Sequence, residues 1–208
     1  MVFSHYTANG KKIAFVSSRE KQADIFIMDL TTRKTMNLTH HPAGDFRPSW
    51  SPDGKSIAFS TDRDSKKPRP VFTLWHSTEV YTIGVDGSAL KRRTFMNTYA
   101  GCPAWSPDGK KLVVYEAALQ QVRNMNTVMK TDATTQLSVI DLAGNEKTYI
   151  TKDSGEKIYP HWLQDNRIAY LTWVGGGQIL FTDGTKGAHG DFESPNWSGD
   201  GKKMIFHR

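Results

Sequence analysis

One thirteen-residue stretch constrains this chain more than any other, because it recurs: Arg47-Pro48-Ser49-Trp50-Ser51-Pro52-Asp53-Gly54-Lys55-Ser56-Ile57-Ala58-Phe59. Cys102-Pro103-Ala104-Trp105-Ser106-Pro107-Asp108-Gly109-Lys110-Lys111-Leu112-Val113-Val114 repeats it closely, as does Ser194-Pro195-Asn196-Trp197-Ser198-Gly199-Asp200-Gly201-Lys202-Lys203-Met204-Ile205-Phe206. Two looser copies run from Tyr159 to Tyr170, where the Pro-Asp-Gly is lost, and from His5 to Phe15, where Tyr6 replaces Trp. Each copy reads as a hairpin. A short strand ends in the aromatic residue, and Ser-Pro-Asp-Gly then turns the chain. Pro presets its own φ, Asp accepts backbone N–H groups ahead of it, and Gly tolerates φ > 0. A second strand of Ile, Ala, Val and Phe follows at once. The aligned positions 10, 54, 109, 166 and 201 lie 44, 55, 57 and 35 residues apart, a spacing that brackets four-stranded propeller blades.

The rest of the chain fits that plan. Residues 2–39 read as a whole blade with strands Val2–Tyr6, Lys12–Ser17, Asp24–Leu30 and Thr35–Thr39. Its third strand is apolar on both faces, as expected of a sheet packed between neighbours. Residues 46–95 and 102–151 repeat the pattern, and 158–184 is a compressed blade ending without a clear fourth strand. A partial fifth blade occupies 192–208. The expected fold is therefore all-β, a β-propeller of four-stranded antiparallel blades, about four plus a partial fifth, forming one domain over 1–208. The sequence as given stops after two strands of its last blade. That predicts a piece of a larger propeller, an open arc, or self-association through the incomplete blade, because a bare strand edge invites pairing.

Composition narrows the partners. The 27 Lys and Arg against 21 Asp and Glu leave a net charge of +6. Lys11, Lys12, Lys55, Lys110, Lys111, Lys202 and Lys203 follow the hairpin turns, which symmetry spreads around one rim rather than gathering into a stripe, so no nucleic-acid partner is expected. No apolar run approaches the roughly 18 residues of a spanning helix, and Met1-Val2-Phe3-Ser4-His5-Tyr6 lacks the features of a signal peptide. The single cysteine, Cys102, excludes an intramolecular disulfide and a cysteine-rich zinc site, and reads as an inert buried thiol. There is no Gly-x-Ser-x-Gly elbow, no Walker loop and no Cys-x-x-Cys.

The repeated Pro-x-Trp-Ser-Pro-Asp-Gly-Lys-x-Ile-Ala-Phe, with Asp24-Ile25-Phe26-Ile27-Met28-Asp29-Leu30 and Asn37-Leu38-Thr39, resembles the repeats of the TolB-like β-propellers, whose architecture is that of WD repeats. The resemblance covers nearly the whole chain apart from inserts at 61–79 and 116–136. It implies four-stranded blades around an axis, in proteins that are more often periplasmic or extracellular. Members of the family include protein-binding partners, substrate-gating domains of serine peptidases and some carbohydrate-active lyases. Fold does not choose among these.

Within a blade, the turns joining strands one to two and three to four share one rim and are short and repetitive. The irregular loops share the other, where binding is expected. His40-His41-Pro42-Ala43-Gly44-Asp45-Phe46-Arg47 and Lys186-Gly187-Ala188-His189-Gly190-Asp191-Phe192-Glu193 resemble each other there. Convergence of His41, His189, Asp45 and Asp191 could hold a divalent metal or move a proton; the alternative is that the carboxylates bond loop backbone. No other cofactor is called for. Tyr99 and Tyr159 are candidate stacking surfaces, and the 61–78 insert offers a mobile cationic half followed by Trp75. A short helix is expected around Ala118, Leu119 and Val122. The leading expectation is a non-catalytic propeller binding a protein, a peptide or an oligosaccharide. The alternative is a metal-assisted lyase or hydrolase of acidic saccharides using the four His and Asp residues with Arg47. A third reading, an accessory domain of a peptidase, requires a catalytic domain elsewhere.

Overall fold

A computed structural model describes residues 4–7, 9–65, 78–95, 98–118, 134–172, 177–190, 193–198 and 203–207. Every regular element among them is a strand. The chain divides into two compact units, Met1–Pro103 and Ala104–Arg208.

The first unit holds two four-stranded antiparallel sheets. One is β1 (Ser4–Tyr6), β2 (Lys12–Ser17), β3 (Asp24–Asp29) and β4 (Thr35–Asn37), hydrogen-bonded in chain order. The other is β5 (Asp45–Trp50), β6 (Ser56–Thr61), β7 (Glu79–Gly84) and β8 (Lys91–Arg92), likewise in order. This up-and-down order is what hairpin turns between consecutive strands dictate. Ala14, Ile25, Ile27 and Leu38 of one sheet pack with Trp50, Ile57, Phe59, Tyr81 and Ile83 of the other, all buried. Trp50, the aromatic residue that ends the best-formed repeat, is thus a core residue.

β9 (Thr98–Trp105) carries the chain from the first unit into the second and is the inner strand of a sheet with β10 (Lys111–Ala118), β11 (Gln136–Asp141) and β12 (Lys147–Tyr149). A fourth sheet contains β13 (Ile158–Trp162), β14 (Ile168–Thr172), β15 (Gln178–Phe181) and β16 (Lys186–His189); β17 (Glu193–Trp197) and β18 (Met204–His207) form a two-stranded sheet. The fourth sheet therefore has the outer strand that the sequence pattern, ending at 184, does not supply. Lys186-Gly187-Ala188-His189 is fully exposed and has no β-branched or aromatic residue, so periodicity hides it. The Gln178 amide fastens it, donating to the carbonyls of Gly187 and Ala188 at 3.0 and 3.1 Å. A Cβ at Gly187 would sit 3.0 Å from Cγ2 of Ile179, so any larger residue there would have to push the Ile179 side chain aside.

Two repeated devices hold the sheets. At the hairpin, Ser51 Oγ donates to Asp53 Oδ1 at 2.6 Å, that oxygen accepts the Lys55 N–H at 3.0 Å, and Ser51 Oγ accepts the Ser56 N–H at 2.9 Å. Ser106 and Asp108 repeat this with Lys110 and Lys111 at the same distances. Thr7 and Asn9 reproduce it in the first sheet, where the motif is least recognisable. At the far end, a threonine after the outer strand caps the third strand. Thr39, Thr94 and Thr151 Oγ1 accept the N–H groups of Ile25, Val80 and Leu137 at 3.0, 2.8 and 2.8 Å. The same hydroxyls bond the side chains of Asp24, Glu79 and Gln136.

Candidate functional site

The irregular connections lie, as topology requires, at the sheet end opposite the Ser-Pro-Asp-Gly turns. In the first unit this end carries a concentration of buried charge. Asp24 and Asp45 have no exposed surface, and Asp62 and Glu79 are almost as deeply buried. Each has an assigned partner. Asp24 accepts the Asn37 amide at 2.9 Å and the His41 N–H at 3.1 Å, Asp62 accepts the Gly44 N–H at 2.8 Å, and Glu79 pairs with Arg92 at 2.9 Å.

Asp45 opens β5 and is gripped by Arg63, whose Nη2 lies 3.0 and 3.2 Å from its two oxygens. The guanidinium of Arg63 stacks over Phe59 and Tyr81, 5.3 and 5.0 Å from the ring centroids, and its Nε donates to Thr61 Oγ1 at 3.2 Å. Burial pushes the Asp45 carboxyl above the usual carboxylate range, against the pull of Arg63 and the hydroxyls of Thr61 and Thr39. Tyr81 is pushed up to about 12 by burial and by donating to Asp64 at 2.8 Å. Arg63 is thus pinned rather than part of a mobile cationic stretch.

The residues expected to bind separate into distinct settings. Asp45 is removed from the metal set, because its carboxylate is enclosed and already held by a cation. His41 is half-buried, and its Nδ1 accepts the Ala43 N–H at 3.1 Å, which closes its own loop. Arg47 sits at φ 54° on the β5 bulge and directs Nη1 at the Cys102 sulfur. Cys102, which is half-buried rather than buried, has φ 47° at the matching position of its repeat. Tyr99 is only 9% exposed, which leaves little ring for a ligand to stack on. In the second unit Tyr159, φ 50°, packs against Leu163, Ala169, Leu171 and Ile179. His189 is exposed on β16, opposite Gln178, and not in a loop as the likeness to His41 suggests. Trp75 and Asp191 lie outside the described residues, as do Leu119 and Val122 of the expected helix, whose start at Glu116–Ala118 is instead the end of β10. Among the described residues no group of three or more His, Cys, Asp or Glu is placed to hold a metal.

Arg19 escapes the motif reading altogether. It stands four residues after Phe15, as Arg63 stands four after Phe59, and Phe15 and Phe59 occupy one register position in their hairpins. That spacing is the signal in the sequence. The second unit adds Lys157, 2% exposed, whose Nζ donates to the carbonyls of Asp153, Ser154 and Gly155 at 2.9, 3.2 and 3.2 Å. Beside it, burial raises the Glu156 carboxyl above its ordinary range.

The family profile described as the TolB beta propeller domain matches residues 3–138. Among curated proteins, the chain is similar to the uncharacterized peptidase YuxL of Bacillus subtilis, 24% identical over 207 residues covering 97% of this chain and 28% of that protein. Among solved structures it resembles TolB of Acinetobacter baumannii, with TM-score 0.69, 22% identity, and coverage of 98% of this chain and 48% of the other. An oligogalacturonate lyase in complex with manganese aligns with TM-score 0.68 and 17% identity over 98% of this chain and 59% of the other. The chain thus spans about a quarter to three-fifths of these proteins.

Proposed function

This chain belongs to the TolB beta propeller domain family, and from that premise we propose that it is a non-catalytic recognition module binding a protein or peptide at the irregular-loop end of its sheets. The observation that carries the reading is the Asp45–Arg63 pair. It consumes a carboxylate that metal-assisted chemistry would need, and so leaves this end suited to presenting fixed charge and loop backbone. His41 supports the same view, since its Nδ1 is spent on Ala43. Regular blades hold the variable loops of this end in fixed positions, where contact groups can be presented.

The rival is a metal-assisted lyase or hydrolase of acidic saccharides, and the likeness to the lyase extends to fold alone. A direct comparison separates them. The purified chain is incubated with oligogalacturonate and manganese, and formation of unsaturated product or new reducing ends is followed; binding of acidic and basic peptide pools is measured in parallel by calorimetry. Saturable peptide binding without turnover is the expected result. Turnover abolished by His41→Ala would overturn the proposal.

A further inference from the structure

The first two sheets contain the same arginine device twice, once with a carboxylate in place and once, among the described residues, without one. In the second sheet, Arg63 lies over Phe59 and Tyr81, bonds the hydroxyl two residues before it through both backbone N–H and Nε (3.3 and 3.2 Å), and offers Nη2 to Asp45. In the first, Arg19 lies over Phe15 and Phe26 at 5.5 and 4.8 Å and bonds Ser17 Oγ through backbone N–H and Nε at 3.3 and 3.0 Å. The cross-strand pairs match as well, since Phe15 faces Phe26 and Phe59 faces Tyr81. Two things differ: Arg63 is almost buried whereas Arg19 is exposed, and the carboxylate is missing from the first sheet's copy of the motif. Asp45 stands five residues before Trp50, and five before the equivalent Tyr6 stands Met1. Among the described residues neither terminal nitrogen of Arg19 has a partner. The adjacent Glu20 is turned elsewhere, accepting the Asn37 amide at 2.9 Å and lying 3.3 Å from His40 Nδ1.

We propose that Arg19 anchors a carboxylate-binding site, and that its ligand is an Asp or Glu side chain of an acidic peptide segment in a partner protein. The stack and the Ser17 bond fix the plane of the fork, so ordering Arg19 does not have to be achieved when the ligand arrives. A guanidinium held this way offers a terminal nitrogen to a carboxylate in a charge-assisted bond, as Arg63 offers Nη2 to both oxygens of Asp45. A strand-borne aspartate is chosen over a uronic acid because the molecule's own filled copy is a carboxylate at the end of a β-strand. The inference rests on the recognition reading and deepens it by naming the ligand chemistry.

The test uses the whole chain with selectively labelled arginine side chains, titrated with the peptide acetyl-Asp-Phe-Arg-Pro-Ser-amide, which copies residues 45–49, and with its Asn counterpart. The Arg19 Nε–H resonance is expected to shift saturably with the Asp peptide and at least tenfold more weakly with the Asn peptide. Arg19→Lys, which keeps the charge and loses the fork, is expected to weaken binding as much as Arg19→Gln, both retaining the wild-type backbone spectrum. Equal responses to the two peptides, or undiminished binding by Arg19→Lys, overturn the site. A tighter response to digalacturonate than to the peptide overturns the choice of ligand. Shifts confined to the backbone of 38–44 with Arg19 unmoved defeat this inference while leaving the recognition reading standing.

Discussion

Replacing each arginine of the duplicated device by methionine gives a quantitative prediction, because the two substitutions remove the same side chain from the same stack and differ in one carboxylate. Arg63→Met leaves Asp45 enclosed and charged with no cation. Breaking a buried pair from one side costs about 3–5 kcal/mol, and the hydroxyls of Thr61 and Thr39, which still bond Asp45, place the expected value near the lower bound. Arg19→Met removes an exposed cation–π contact and one hydrogen bond in solvent, for about 0.5–1 kcal/mol. The gap between the two variants is therefore about 2 kcal/mol or more. Adding Asp45→Asn to Arg63→Met should recover part of the loss, since the uncompensated charge goes with it. pH supplies an independent sign. Burial has already raised the Asp45 carboxyl, and loss of Arg63 raises it further. The penalty is present above that folded value and is relieved as pH falls through it, so the Arg63→Met deficit should shrink on acidification. Urea unfolding at constant m-value, followed by circular dichroism at several pH values, measures all of this. Equal costs for the two variants, or a deficit that grows on acidification, would refute the reasoning.

Three further outcomes follow from the repeated devices and the core. Thr94→Val and Thr151→Val each strand a buried N–H, of Val80 or Leu137, and should cost about 1–3 kcal/mol with faster hydrogen exchange at those two amides. Asp53 and Asp108 titrate below the ordinary carboxylate range, first because Ser51 and Ser106 donate to them; Ser106→Ala should raise Asp108 and leave Asp53 unmoved in carbon-detected titrations. A depressed folded value gives stability that is full above the unfolded value and fades as pH falls through the folded one, so Ser106→Ala should flatten the acid side of the stability curve. Leu112, with no exposed surface, should cost about 2–5 kcal/mol on truncation to Ala, whereas Met36, 46% exposed, should change urea stability by about 0.5 kcal/mol or less.

Strands, turns and register were legible because the repeat states them several times over. Lys12–Ser17 follows directly from Ile13, Phe15 and their alternation, and Asn9-Gly10 could be aligned with Asp53-Gly54 although Pro and Trp are missing, because the side-chain bonds need only a hydroxyl and an Asx oxygen. What stayed hidden was carried by backbone or by distance. β16 is fastened by one amide from another strand, and no alternation marks it. His189 resembles His41 in sequence, but the extra outer strand puts it on an edge. Asp45 read as a ligand because its occupant, Arg63, lies 18 residues away at the start of an insert rich in Lys, Arg and Pro, a composition that suggests solvent. The burial of that guanidinium against two aromatic rings is a tertiary fact.

In a repeat chain the positions that obey the repeat explain the fold, and the recognition chemistry must be sought where one copy departs from another. The hydroxyl–Asx hairpins and the threonine caps agree across the first three sheets, each closing its own hydrogen bonds. At Phe15 and Phe59 the agreement extends through the aromatic pair, the hydroxyl and the arginine, and it ends at the carboxylate. A guanidinium serving only to cover an aromatic pair would not need an Nε bond that fixes the direction of its fork. Arg63 shows what that direction serves when an acid is present, and Arg19 has the same Nε bond with no acid beside it among the described residues. The difference between the two sheets is therefore one of occupancy at a fixed geometry, which is the form a preorganised binding group takes before its ligand arrives.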